Sequence, residues 1–205
     1  YRAMPNMQYV RPADSEEVAG AWKAAISYRG GPSMISVSRH ALPQTGVTRR
    51  DGVLKGAYVV REVEGQADIT LIGAGAELHF ALKLADALAE HKVRARVVSF
   101  PSYALFREQP VEYQREVLRR GGSGNGTPAI VVESYVSLGW ERWADGGFNM
   151  RSYGHSLPGR YIYKHFGYDV EKMCETTKNF LGKWARGDVQ RGEWSELLPL
   201  PPALH

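Results

Sequence analysis

Residues 68–77 read DITLIGAGAE, and this stretch decides the fold class. Its first half, 68–73, predicts a buried strand, because a short apolar run bounded by turn residues is typical of a strand covered on both faces. The Gly-Ala-Gly that follows predicts a tight turn into a helix over 77–90. One stripe of that helix is apolar and consists of Leu78, Ala81, Leu82, Ala85 and Leu88. Residues 94–100 (RARVVSF) predict the next strand, so the unit is strand, helix, strand with a parallel pairing.

The same alternation continues outward in both directions. The further strands predicted are 7–11, 33–38, 57–62, 129–133 and 149–153, and the further helices are 14–28, 111–118, 159–166 and 170–186, with a Gly-rich flexible connection at 121–126 and an extended tail after Pro199. We therefore expect an α/β fold with a mostly parallel sheet and helices on both faces. A strand–helix–strand piece of a second α/β domain should precede it, with an irregular connection at 41–55.

Composition excludes several classes of protein. The chain has 205 residues, 43% of them hydrophobic, so it can bury a core. Its net charge of +4 is small and fits an enzyme of anionic metabolites as well as weak contact with nucleic acid. Cys174 is the one cysteine, which excludes an intrachain disulfide. The apolar runs are too short to cross a bilayer, and no targeting pattern opens the chain. We expect a cytosolic location without membrane or nucleic-acid partners, and a first residue other than Met suggests a fragment.

The Gly73-Ala74-Gly75 turn resembles a dinucleotide-binding turn only in part. The full fingerprint requires a third Gly or Ala where this chain has Leu78, and an acidic residue near Arg94, where the chain is basic. We therefore interpret the turn as a connection between strand and helix rather than as a nucleotide site.

Arg39 is the strongest candidate for a ligand contact. It follows a predicted strand directly, and ligand crevices in open α/β sheets lie at the carboxyl ends of strands. A guanidinium offers a planar fork that matches a phosphate group, although a structural salt bridge is the alternative role. His40, the next residue, could donate to the same anion. The six histidines are dispersed, so we expect no metal site in this chain.

Several stretches, in order along almost the whole chain, resemble the transketolase family. They include RAMPN at 2–6, RPAD at 11–14, SRHALP at 38–43, KGAYV at 55–59, IGAGAEL at 72–78, the strand and proline at 94–101, GWE at 139–141, and FG at 166–167. The family's corresponding motifs have the forms S-R-Q-x-x-P, K-G-x-Y-V and I-G-x-G-S-E-L.

The resemblance implies an architecture and an activity. Residues 1–50 would be the end of the pyrimidine-binding domain, and 51–205 would be the C-terminal domain. The activity implied is transfer of a two-carbon ketol unit from a ketose phosphate to an aldehyde, in a homodimer that uses thiamine diphosphate and Mg²⁺. The catalytic, cofactor-binding and metal-binding residues would all lie upstream of Tyr1, so none is expected in this chain.

One site of the family carries over to this chain. The arginine of S-R-Q, which binds the substrate phosphate, corresponds to Arg39, whereas the Gln beside it is His40 here, a possible substrate contact. Residues 139–144 and 150–159 are closer to the dihydroxyacetone synthase branch, whose members are often peroxisomal, so a peroxisomal location is the alternative to the cytosol. The alternative function is a non-catalytic dimerisation or assembly module that lacks the cofactor site.

Overall fold

A computed structural model describes residues 1–118, 126–156 and 158–200. Most of the predicted Gly-rich connection, Leu157 and the last five residues of the predicted tail lie outside the described residues. Within the described part, no helix has the length and apolar character needed to cross a membrane.

The first part of the chain forms the predicted strand–helix–strand piece. Strand β1 (Gln8–Val10), helix α1 (Ser15–Ser27) and strand β2 (Ser33–Ile35) follow one another, and the two strands pair in parallel. A short helix, α2 (Arg50–Val53), packs against α1. We call residues 1–55, which carry these four elements, the N-terminal segment; the predicted domain division near residue 50 stays a proposal.

Helix α1 begins where the sequence predicts. Asp14 is its N-cap, and the Asp14 carboxylate accepts a hydrogen bond from the Glu17 backbone N–H at 3.3 Å. The Thr45 and Thr48 hydroxyls donate to the second oxygen of Asp14 at 2.8 and 2.6 Å. The cap therefore also holds the connection that follows β2 against the start of α1.

Residues 56–200, which we call the C-terminal unit, form a six-stranded sheet. Its strands are β3 (Tyr58–Arg61), β4 (Ile69–Gly73), β5 (Ala95–Ser99), β6 (Ala129–Glu133), β7 (Gly146–Asn149) and β8 (Ser195–Glu196). The order across the sheet is β3-β5-β4-β6-β7-β8, and only the edge strand β3 runs antiparallel to its neighbour. The prediction of a mostly parallel sheet is confirmed.

Helices cover both faces of this sheet. They are α3 (Leu78–Glu90), α4 (Tyr103–Arg107), α5 (Val111–Leu118), α6 (Gly159–His165) and α7 (Val170–Arg186). Consecutive residues of β4 point to opposite faces, so Leu71 joins one core cluster with α3 and α7. Ile72 joins the other cluster, which contains Phe106 of α4 and Val117 of α5. The two-layer covering explains why β4, β5 and β6 are buried along their entire length.

Four details differ from the sequence predictions. The strand predicted at 33–38 ends at Ile35, because its partner β1 ends at Val10. Beyond that point, the backbone N–H of Arg11 donates to the Pro101 carbonyl and not to β2. The strand predicted at 149–153 lies at 146–149. The connection predicted as irregular at 41–55 contains the short helix α2. The prediction also missed α4 and the two-residue β8. Trp140 and Trp143 belong to the core of the chain, where they are 0% and 5% exposed.

Candidate functional site

A cavity of about 330 Å³ lies where four strands end. The segments after β1 and β2 form one wall, and the segments after β4 and β6, with Tyr163 of α6, form the other. The residues around it are Arg11, Pro12, Ser36, Val37, Ser38, Arg39 and His40 from the N-terminal segment, and Ala76, Glu77, Ser134, Tyr135 and Tyr163 from the C-terminal unit. We call it the Arg39 cavity. Its position agrees with the general location of ligand crevices in α/β sheets.

Arg39 lies in an exposed position at this cavity, four residues beyond the end of β2. Among the described residues, its guanidinium has neither a hydrogen bond nor an ion pair, so the structural salt bridge considered from the sequence is not formed. The charge is therefore free to meet a ligand from solvent.

His40 borders two cavities. It lines the Arg39 cavity and also a neighbouring one of about 260 Å³ next to the start of α1. The His40 backbone N–H donates to the Ser38 hydroxyl at 3.1 Å, which fixes the main chain between Arg39 and the strand. A Cβ atom added at Gly159 would lie 3.6 Å from the Nε2 atom of His40, so the imidazole lies beside the start of α6.

Behind the cavity, a buried ion-pair network joins the two parts of the chain. Arg11, directly after β1, donates to Glu77 at 3.1 Å and to Glu133 at the end of β6. Arg2 donates to Glu133 at 2.9 Å through one of its nitrogens, and the Trp140 indole N–H donates to the same carboxylate at 2.6 Å. Glu133 and Glu77 are 0% and 1% exposed, so these contacts are made in a dry environment.

The network keeps its members charged. Burial alone would raise the pKa of Glu133, but the Arg11 and Arg2 guanidiniums outweigh it and hold that pKa below its ordinary value. Burial likewise opposes the charge of Arg11, yet Glu133 and Glu77 raise the Arg11 pKa above its ordinary range. Both ions of the Arg11–Glu133 pair are thus present at neutral pH.

The Glu77 carboxylate faces the cavity with its oxygens occupied. The Ser134 hydroxyl donates to Glu77 at 2.9 Å, and the Tyr163 hydroxyl donates to it at 3.0 Å, in addition to Arg11. The Arg11 guanidinium lies 3.9 Å from the centre of the Tyr135 ring, which forms a cation–π contact. The C-terminal unit therefore presents a wall to the cavity whose polar groups are held in place.

The charged residues at the site have a net charge of +1, which comes from Arg39. Arg2 and Arg11 contribute two positive charges, and Glu77 and Glu133 contribute two negative charges, so the network is neutral. Arg39 is outside that network, so the cavity has a net charge of +1 with His40 neutral. Such a site favours an anion.

A second junction joins the two parts of the chain through Glu17 of α1. Its carboxylate accepts hydrogen bonds from Tyr58 at 2.7 Å, from Ser99 and from the Ala13 backbone N–H at 2.7 Å. Burial raises the pKa of Glu17, because no cation compensates its charge. The N-terminal segment is therefore anchored to the sheet at two places, at the ends of β4 and β6 through Arg11 and at β3 and β5 through Glu17.

The Gly73-Ala74-Gly75 turn has a structural use that the sequence did not indicate. Gly75 has φ +62°, and a Cβ atom there would lie 3.3 Å from the Arg11 guanidinium carbon. The turn thus brings the backbone close to Arg11 and positions Glu77 for its ion pair. The predicted connection between strand and helix is confirmed, since β4 ends at Gly73 and α3 begins at Leu78. That the turn binds no nucleotide stays a prediction.

In residues 1–118, 126–156 and 158–200, no group of three or more His, Cys, Asp or Glu side chains could hold a metal. The buried carboxylates of Glu17, Glu77 and Glu133 do not fit such a role, since each already accepts three or more hydrogen bonds.

Sequence reasoning did not identify Arg11, Glu77, Glu133 and Tyr163 as site residues. A signal was present, because Arg11, Glu77 and Glu133 all lie at or just after the carboxyl end of a strand. Tyr163 lies on α6 and is brought to the cavity only by the packing of that helix.

The fold and the cavity define a class: an α/β protein with a mostly parallel sheet and, at the strand ends, a cavity whose positive charge favours an anion. Within that class, residues 56–169 match the family model "Transketolase-like TK C-terminal domain", and residues 1–45 match "Transketolase, pyrimidine binding domain". The chain belongs to the transketolase family.

Three similar proteins illustrate this relationship. A dihydroxyacetone synthase of Candida boidinii is 39% identical over 88% of this chain and 25% of its own length. A transketolase of Sinorhizobium medicae is 36% identical over 97% of this chain and 27% of its length. A transketolase of Pichia stipitis, solved in complex with sedoheptulose 7-phosphate, superposes with a TM-score of 0.85 at 29% identity, covering 95% of this chain and 28% of that one. The chain thus spans about a quarter of the length of these relatives.

Proposed function

We propose that this chain contributes the phosphate-binding arginine to an enzyme that transfers a two-carbon ketol unit from a ketose phosphate to an aldehyde. One observation carries the proposal: the Arg39 guanidinium has no partner among the described residues and lines a cavity at the strand ends. The similar Pichia stipitis enzyme was solved with a sugar phosphate, which supports a ligand of this class. His40 lies beside Arg39 and is proposed as a second contact to the same substrate.

In this proposal, Arg39 acts by positioning. Two N–H groups of a guanidinium can grip two phosphate oxygens, so the substrate is held at the end remote from its reacting carbonyl. Binding energy gained there orients the carbonyl for reaction. Thiamine diphosphate, the cofactor of the family, would supply the carbanion chemistry when bound, together with Mg²⁺, by regions that this chain does not include.

Ligand binding by the 205-residue chain tests the role of Arg39. Calorimetry with ribose 5-phosphate and with ribose should show binding of the phosphorylated sugar only, and Arg39→Gln should weaken it by at least about tenfold, because charged hydrogen bonds are lost. Arg29→Gln removes an equal charge at the other end of α1 and should leave the affinity unchanged. Equal binding of both sugars, or no effect of Arg39→Gln, would exclude the proposal.

The alternative is a non-catalytic dimerisation or assembly module. Trp22 and Ile26 on the outer face of α1 are 58% and 65% exposed, which is the observation that favours a role in assembly. Sedimentation of the chain would show whether it forms the proposed homodimer. Calorimetry with thiamine diphosphate and Mg²⁺ should show no tight binding, and a measurable affinity would place the cofactor site within this chain.

The acceptor and the location are also proposals. The similar proteins include both a dihydroxyacetone synthase and a transketolase, so formaldehyde and sugar phosphates are both candidate aldehydes. We favour the cytosol as the location, with the peroxisome as the alternative.

A further inference from the structure

We infer that Arg49 and Lys55 form a second anion site, which takes the phosphate group of a small metabolite. The two residues flank helix α2: Arg49 directly precedes it, and Lys55 lies two residues beyond its end. Both line a cavity of about 640 Å³, which we call the α2 cavity. Its volume is typical of small-molecule sites, for which about 300–1,000 Å³ is common. None of the residues around it lines the Arg39 cavity, so the inference goes beyond the proposed function.

The charges around the α2 cavity include two cations without a counter-ion. The other charged residues of its wall are paired, Arg50 with Glu16 at 2.7 Å and Asp51 with Lys23 at 3.0 Å. Among the described residues, the exposed side chains of the two cations that flank α2 have neither a hydrogen bond nor an ion pair. The cavity therefore has two unopposed positive charges, which match the two negative charges of a phosphate dianion.

Two tyrosine rings position these cations. The Arg49 guanidinium carbon lies 5.4 Å from the centre of the Tyr58 ring, and the Lys55 Nζ atom lies 5.9 Å from the centre of the Tyr113 ring. A cation–π contact uses the face of the ring and leaves N–H groups free to donate to a ligand. Burial raises the pKa of Tyr113 and the charge of Arg49 opposes that effect, so both cations lie near the Tyr113 ring.

The rings are themselves fixed by hydrogen bonds. The Tyr58 hydroxyl donates to Glu17 at 2.7 Å and accepts from the Arg49 backbone N–H at 2.9 Å, and the Tyr113 hydroxyl donates to the Ala57 carbonyl at 2.9 Å. Side chains that are positioned before binding lose less conformational entropy when the ligand arrives. An anion also relieves the repulsion between the two like charges. The α2 cavity thus has the charge and the prior order of a phosphate site.

Phosphate binding is measured in the Arg39→Gln chain of 205 residues, in which the Arg39 cavity does not contribute. Calorimetry with inorganic phosphate should show binding to this chain. Arg49→Gln and Lys55→Gln, each added to it, should weaken the binding by at least about tenfold, because charged hydrogen bonds are lost. Binding should also weaken in about 0.5 M NaCl, since salt screens charges at the protein surface.

Arg29→Gln and Lys92→Gln are the matched controls. Each removes one positive charge at an exposed position away from the α2 cavity. Arg29 lies beyond the far end of α1 from Glu16, and Lys92 lies between α3 and β5, at the sheet edge opposite to Tyr58. Both controls should leave the phosphate affinity unchanged. If they weaken binding as much as the Arg49 and Lys55 variants do, phosphate responds only to net charge and the inference is wrong.

A substitution that preserves the net charge separates a built site from a charged surface. Tyr113→Leu removes the ring that both cations approach and should weaken phosphate binding severalfold, whereas Tyr113→Phe keeps the ring and should restore the affinity. Tyr113 is a positioning residue in this proposal. Equal phosphate affinity in a folded Tyr113→Leu variant overturns that role. Circular dichroism checks the fold, and the Arg49 and Lys55 variants decide the question if this variant does not fold.

The two anion sites can fail separately. If the unsubstituted chain binds phosphate and the Arg39→Gln chain does not, the site at Arg39 stands and the second site is excluded. Phosphate binding by the Arg39→Gln chain that is lost with Arg49→Gln or Lys55→Gln supports the second site, whatever the result with ribose 5-phosphate. Absence of phosphate binding in both chains would overturn the inference as well.

Discussion

At the scale of single residues, we expect Glu133 to contribute strongly to stability. It is fully buried and accepts hydrogen bonds from Arg2, Arg11 and Trp140. We expect Glu133→Gln to lower the free energy of unfolding at pH 7 by about 3 kcal/mol, because removal of one partner leaves buried guanidiniums without compensation. Urea denaturation would measure the change, and the exposed residue Glu64 supplies a control, Glu64→Gln, for which less than about 0.5 kcal/mol is expected.

The same residue predicts a pH dependence. The pKa of Glu133 is lower in the folded protein than in the unfolded chain, so its contribution is present above the ordinary carboxylate pKa and is lost as the pH falls through the folded value. The difference in stability between the wild type and Glu133→Gln should therefore shrink when denaturation is repeated at pH 3.5. A difference that stays constant between pH 7 and pH 3.5 would show that folding does not lower the pKa of Glu133.

Two glycines with positive φ allow steric clash to be separated from backbone strain. Gly56 has φ +79°, and a Cβ atom there would lie 2.1 Å from the backbone nitrogen of Phe106, whereas Gly46 has φ +71° with open space around it. We expect Gly46→Ala to cost about 1–2 kcal/mol from the left-handed backbone alone. Gly56→Ala should prevent folding or cost far more, and thermal denaturation of both variants would check this. Equal losses of stability in the two variants would mean that the backbone around Gly56 shifts to make room for the added Cβ atom.

At the scale of elements, removal of the Asp cap should cost the protein different amounts of stability in the two helices that have one, α1 and α7. Asp169 caps α7 with one backbone hydrogen bond, from Lys172 at 3.3 Å, so Asp169→Ala should cost about 1 kcal/mol. Asp14→Ala should cost more, because the Thr45 and Thr48 hydroxyls lose their acceptor as well.

Denaturation by urea, with Asp169→Asn and Asp14→Asn as controls that keep a capping oxygen, would measure both losses. The ranking would be contradicted if Asp169→Ala were the more damaging change.

The elements themselves were largely predictable: α1, α3, α5, α6 and α7 lie where the sequence predicts helices. The missed α2, α4 and β8 have four, five and two residues, too few for a periodic signal.

At the scale of the whole molecule, the N-terminal segment should depend on the C-terminal unit for its fold. Its sheet has two strands of three residues, and a two-stranded sheet of this size is not stable alone. We therefore expect a chain of residues 1–55 to be unfolded by circular dichroism. A folded signal from this piece would show that its own core, formed around Val10, Ala21 and Val53, is sufficient.

Removal of the segment should also change the pH dependence of the remainder. Without Arg2 and Arg11, no guanidinium compensates the burial of the Glu133 carboxylate, and burial alone raises its pKa. Residues 56–200 should then become less stable as the pH rises through that value, the opposite of the dependence expected for Glu133 in the full chain. Glu133→Gln in this shortened chain should remove the slope, and denaturation between pH 4 and pH 8 would measure it.

The sequence alone determined the order of the elements, the fold class and one candidate cation. These properties are encoded locally: apolar periodicity reports a strand or a helix, Asp14 marks a helix start, and Arg39 follows a strand. The tertiary structure alone decided that Arg11 meets Glu133, a residue 122 positions away, and that Tyr163 reaches the cavity. No local pattern specifies such partners, because which charges become buried together depends on how the sheet and the N-terminal segment pack.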